Sequence, residues 1–130
     1  AYHATMPTDG IRTLAQVMAE TAALGFDTAC SRQLELGKRV RGLLTQRGFP
    51  SVAAPGFEAP GVIVSYTDDP EIQNGKKFLN SGLQVAAGVP LMCDEPEDYC
   101  TFRIGLFGLD KLQNVDRTVD SLAAALDTLT

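Results

Sequence analysis

No Cys-x-x-Cys pair occurs in the 130 residues, and the three cysteines, Cys30, Cys93 and Cys100, are odd in number. That spacing signals neither a disulfide framework nor a zinc site, so free thiols in a reducing cytoplasm are expected. Adding His3, the single histidine, does not complete a metal-ligand set. Positive charge is also scarce: the net charge is -5 and no basic run is longer than a pair such as Lys76-Lys77. A phosphate backbone or an anionic lipid surface needs a concentrated positive face, which excludes both as partners. No apolar run reaches the roughly 18 residues of a membrane span. Gly105 and Gly108 allow close backbone approach around Leu106-Phe107, but no Gly-x-Gly-x-x-Gly stands at a strand-to-helix turn, so there is no dinucleotide signature.

With 45% hydrophobic and 21% charged residues, the chain has the make-up of one globular domain. At this length such a domain buries roughly two thirds of its unfolded surface. Its organising stretch is Thr101 to Gly108. Phe102, Ile104 and Leu106 alternate there with Thr101, Arg103 and Gly105, the period of a strand with one face on a core. Arg103 falls on the other face, within the most apolar segment before the last helix. A guanidinium is always charged, and its planar fork matches a carboxylate or phosphate in two parallel hydrogen bonds. Two readings follow from the residue alone: an anion-binding arginine, or a structural ion pair with an Asp or Glu of the same chain.

Around this strand the pattern predicts further elements. Pro7-Thr8-Asp9 starts a first helix whose Ile11, Leu14, Val17, Met18 and Ala22 recur at helical spacing up to Gly25, a stripe read as core. A second helix, capped by Asp27 or Thr28, turns Cys30, Leu34, Val40, Leu43 and Leu44 inward and Arg32, Lys38, Arg39 and Arg41 to solvent, ending at Gly48. A short strand is expected over 51–54, a β-branched strand over 61–67, and a helix from the Asp68-Asp69-Pro70 cap to about Asn80. Capping accounts for the Asp68-Asp69 pair without a metal. A strand over 83–86, an acidic loop over 94–98 and a last helix opened by Asn114 complete the series. The order α-α-β-β-α-β-β-α predicts an α+β domain, a small three- to four-stranded mixed or antiparallel sheet with helices on one face.

Three segments taken in succession resemble one known pattern: Tyr2-His3-Ala4-Thr5-x-Pro7 before an amphipathic helix, then Phe102-Arg103-Ile104-Gly105-Leu106-Phe107-Gly108, then Asn114-Val115-Asp116-Arg117. Together they are similar to the C-terminal part of class V, fold-type I pyridoxal-phosphate aminotransferases, especially the alanine/serine:glyoxylate enzymes. The resemblance implies residues 1–24 as an interdomain segment and linking helix, residues 25–130 as the C-terminal small domain, and a large cofactor domain preceding them in a longer polypeptide. It implies that Arg103 binds the substrate α-carboxylate, and that Tyr2 and Thr5 reach the phosphate of pyridoxal 5'-phosphate in the neighbouring subunit of a homodimer. The implied reaction moves an amino group from an amino acid to a small 2-oxo acid such as glyoxylate or pyruvate. Lys38, Lys76, Lys77 and Lys111 match no Schiff-base motif, so the family's catalytic lysine is expected upstream and this chain alone is expected to be inactive. Two departures are visible, a loop Ala87-Gly88-Val89 poorer in glycine and an acidic insertion through Asp98. The competing reading is a stand-alone α+β module that binds a small carboxylate, or dimerises, without catalysis.

Overall fold

Val62-Ile63-Val64 and Phe102-Arg103-Ile104 are the two runs whose side chains suit a pleated, half-buried surface, and they pair with each other. In the computed structural model, which describes residues 4–129, β1 (Val62–Tyr66) and β3 (Thr101–Gly105) are antiparallel, with Ile63 opposite Ile104 and Val64 opposite Arg103. The two-residue β2 (Ala86–Ala87) joins the other edge of β3, placing Ala86 opposite Arg103 and Ala87 opposite Phe102. Among the described residues this is a three-stranded antiparallel sheet in the order β1-β3-β2.

Helices cover the face that carries Ile63, Phe102 and Ile104. In α2 (Phe26–Gln46), Leu36, Val40 and Leu44 recur every four residues and are fully buried. Each such side chain contributes about 1.5–3 kcal/mol relative to exposure. From α6 (Val115–Leu126), Val115, Leu122, Ala125 and Leu126 complete the layer. Phe102 sits at the centre, its ring 5.3 Å from both Phe49 and Phe78. Two helix starts follow the cap chemistry of the sequence. Asp69 Oδ1 accepts from the Glu71 N–H at 2.8 Å and the Ile72 N–H at 3.3 Å, and Asn114 Oδ1 accepts from the Arg117 N–H at 3.3 Å.

Several local expectations are corrected. The stripe of α1 (Thr8–Leu24) is not core within this chain: Ile11, Leu14, Val17 and Met18 are 43–60% exposed, and α1 has no buried residue. The helix leaves the body at Gly25, whose φ of 92° breaks its path into α2. Cys30 and Leu34 point outward, because Leu34 stands two positions, roughly 200° of helical turn, from buried Leu36.

The basic face of α2 is not merely solvated. Arg32 Nη1 donates to the Leu112 carbonyl at 3.3 Å, Arg39 Nη1 lies 2.6 Å from Asp116, and Arg41 donates to Ser51 Oγ and the Ala59 carbonyl. These long side chains tie α2 to α5 (Leu109–Gln113), to α6 and to the irregular 51–59 segment. That segment contributes only a bridge between Ser51 and Ser65, and the strand expected over 83–86 shortens to β2. The third predicted helix is two, α3 (Pro70–Gln73) and α4 (Lys76–Asn80), separated where Gly75 takes a φ of 80°.

Candidate functional site

The face of the sheet opposite the helices carries Arg103, flanked across the strands by Val64 and Ala86. Odd positions of β3 occupy this face because the buried set, Phe102 and Ile104, claims the other, and the strand period leaves no choice. Arg103 is half-buried, so the full desolvation expected of a cation inside an apolar segment is not imposed on it in this chain. Its Nε donates to the Ala87 carbonyl at 2.9 Å. Among the described residues no carboxylate stands within ion-pair distance of it, although Arg39 and Arg47 both pair with aspartates. Among the described residues the internal ion pair, one of the two sequence readings, is not formed.

Thr5 is exposed, in the non-helical segment that leads into α1. A hydroxyl there has the chemistry of a phosphate donor. The other residue assigned to the cofactor, Tyr2, lies outside the described residues. Two grooves, of about 730 and 670 Å³, lie at Lys38, Arg41 and Pro60 and at Tyr66, Asp98 and Tyr99, and Arg103 lines neither.

Three of the four lysines are engaged elsewhere. Lys76 pairs with Glu71, Lys77 lies 2.7 Å from Asp69 Oδ2 and Lys111 lies 3.6 Å from Asp110. The hydrogen bond to Asp69 raises the Lys77 pKa, the opposite of what a nucleophilic amine requires. Burial, and then the nearby Asp68 and Asp69, push the Cys100 thiol up, away from the thiolate a nucleophile would need. No group of three or more His, Cys, Asp and Glu residues among those described is placed to hold a metal ion. Likewise, no described helix is long and apolar enough to cross a membrane.

Sequence reasoning did not find the Ala87 carbonyl that orients Arg103, nor the tight packing of Gly88 beside it. A backbone acceptor leaves no trace in side-chain identity. The glycine at 88 reads equally well as an ordinary turn residue.

Comparison with solved structures bears on the fold. The chain superposes on the crystal structure of an alanine–glyoxylate aminotransferase from Nostoc sp. with a TM-score of 0.77 and 19% sequence identity, over 99% of this chain and 33% of that one. Its fold is that of a portion of that enzyme. The chain thus spans about a third of the length of the protein it matches. No protein-family model matches the sequence, and no curated protein matches it either. The α+β class with a small sheet and helices on one face, read from the sequence, agrees with this fold, and of the mixed and antiparallel sheets left open there the antiparallel one is found.

Proposed function

We propose that this chain is the substrate-carboxylate-binding portion of a pyridoxal-phosphate-dependent aminotransferase. The amino group passes from an amino acid to a small 2-oxo acid of the glyoxylate or pyruvate type. The observation that carries the proposal is Arg103: a permanent, half-buried cation on the sheet face opposite the helices, anchored at Nε by a backbone carbonyl and lacking a carboxylate partner among the described residues. Its terminal nitrogens would take the α-carboxylate of donor and acceptor in turn, holding the reacting carbon in one orientation. Bound in the complete enzyme, pyridoxal phosphate would supply the electron sink. Thr5 and Tyr2 are assigned to its phosphate, across a homodimer interface.

On this reading residues 1–24 are the interdomain segment and linking helix, residues 25–130 the small domain, and the Schiff-base lysine belongs to a large domain outside this chain. The uncovered stripe Ile11, Leu14, Val17 and Met18 supports that division over a stand-alone module, because an apolar stripe of this width needs cover. A cytoplasmic location is supported by Cys30, Cys93 and Cys100, all free thiols.

The test is Arg103→Ala in the complete polypeptide, assayed with alanine or serine as donor and glyoxylate or pyruvate as acceptor. Removing one charge-assisted pair should lower kcat/KM by about tenfold to a thousandfold. Unaltered kinetics would remove the arginine, and with it the proposal.

A further inference from the structure

We infer that Gly88 is the positioning residue for Arg103, and that it works by holding the Ala87 carbonyl against the guanidinium so that the acid is taken end-on. The inference rests on the carboxylate-binding reading of Arg103.

A Cβ at residue 88 would lie 1.8 Å from the Thr101 carbonyl oxygen, 2.4 Å from its carbon and 2.5 Å from Thr101 Oγ1. The first two are backbone atoms of β3, and they cannot swing aside as the tip of a flexible side chain would. Gly88 is not among the residues with positive φ, so backbone angle does not demand glycine here; space does. The same close approach shields Thr101, which is 1% exposed although it lies on the open face of the sheet. From the other side, the Gly88 N–H donates to the Gln73 carbonyl at 3.3 Å, which ties the loop to the end of α3.

These contacts fix the peptide that joins residues 87 and 88. Its carbonyl belongs to Ala87 and accepts from Arg103 Nε at 2.9 Å. A guanidinium can meet a carboxylate side-on, through Nε and one terminal nitrogen, or end-on, through both terminal nitrogens. With Nε engaged by Ala87, the end-on edge remains. Any side chain at 88 must push the loop off β3, carrying the Ala87 carbonyl away and releasing the guanidinium to rotate. Charge and strand would remain, but the fork would no longer be aimed.

The experiment is a double-mutant cycle in the complete polypeptide, with KM, kcat and cofactor absorbance measured for Gly88→Ala, Arg103→Ala and the pair. Gly88→Ala should raise KM for both amino acid and oxo acid by about tenfold while leaving kcat at saturation and cofactor absorbance within about twofold. The double variant should be no worse in KM than Arg103→Ala alone, because an arginine that is absent cannot be misaimed. Additive losses, or an unchanged KM for Gly88→Ala beside a raised KM for Arg103→Ala, would overturn the positioning role and leave the carboxylate reading standing. An unchanged KM for Arg103→Ala would instead remove the reading beneath it. Should Gly88→Ala fail to fold, Ala87→Gly enters the same cycle. It adds no atom but loosens the acceptor, and a severalfold rise in KM that vanishes in the Arg103→Ala background is expected. An Ala87→Gly rise that persists in that background, or no rise at all, would overturn the inference.

Discussion

Lys77 Nζ lies 2.7 Å from Asp69 Oδ2, while the other oxygen of the same carboxylate caps α3 through the Glu71 and Ile72 N–H groups. One side chain thus joins the start of α3 to α4. The hydrogen bond from Lys77 and then those from the backbone hold the Asp69 pKa below the usual carboxylate value. A depressed carboxylate stabilises the fold above its unfolded value, about 3.9, and that contribution is lost as pH falls through the folded value. For Lys77 the sign reverses. Its raised pKa keeps the contribution in place below the unfolded value, about 10.4, and the contribution goes as pH rises through the folded value. Lys77→Gln should therefore lower Tm near neutrality, with the deficit shrinking at both pH extremes. Thermal unfolding of both proteins across pH checks this, and a deficit independent of pH would rule it out.

Two glycines of α2 should respond to alanine with opposite signs. At Gly37 a Cβ would lie 2.6 Å from the Pro60 carbonyl oxygen and 2.8 Å from its Cα, both backbone, where Gln33 Nε2 also donates to that oxygen at 2.9 Å. Gly37→Ala should destabilise by about 1–3 kcal/mol through overpacking. At Gly42 nothing lies within 4 Å of the added atom. There alanine should stabilise by about 0.5–1 kcal/mol through helix propensity alone. Chemical denaturation of the two variants decides the matter, and equal signs would show that α2 does not lie against Pro60 as described.

Ser65 is 1% exposed on the covered face of β1, and its Oγ has no hydrogen-bond partner among the described residues. A buried hydroxyl without a partner loses its hydration and gains nothing in return. Ser65→Ala should raise the unfolding free energy by about 1 kcal/mol, read as a higher denaturation midpoint at unchanged slope. A fall of that size would mean the hydroxyl is satisfied after all.

Legibility varied with the range of the forces involved. The strand at Phe102 and Ile104, the buried Val40 and Leu44 of α2, the Asp69 cap and the Asn114-capped last helix all followed from spacing within a few residues. Errors arose where the outcome depended on distant chain. Helical periodicity shows that Ile11, Leu14, Val17 and Met18 form one stripe, yet says nothing about what lies opposite it, and here they are exposed. Arg39 and Arg41 have the spacing of a solvated face, but Asp116 and Ala59, far along the sequence, come within reach of them.

Local order alone determined the helices α2 and α6, the strands β1 and β3, the two caps and the placing of Arg103 opposite a core face, because side-chain period and backbone hydrogen bonding act between near neighbours. The union of β2 with β3, the aim of the guanidinium at Ala87 and the demand for glycine at 88 were decided only by tertiary structure. Each depends on a loop some fifteen residues away lying against the strand, a through-space contact that no pattern along the chain encodes.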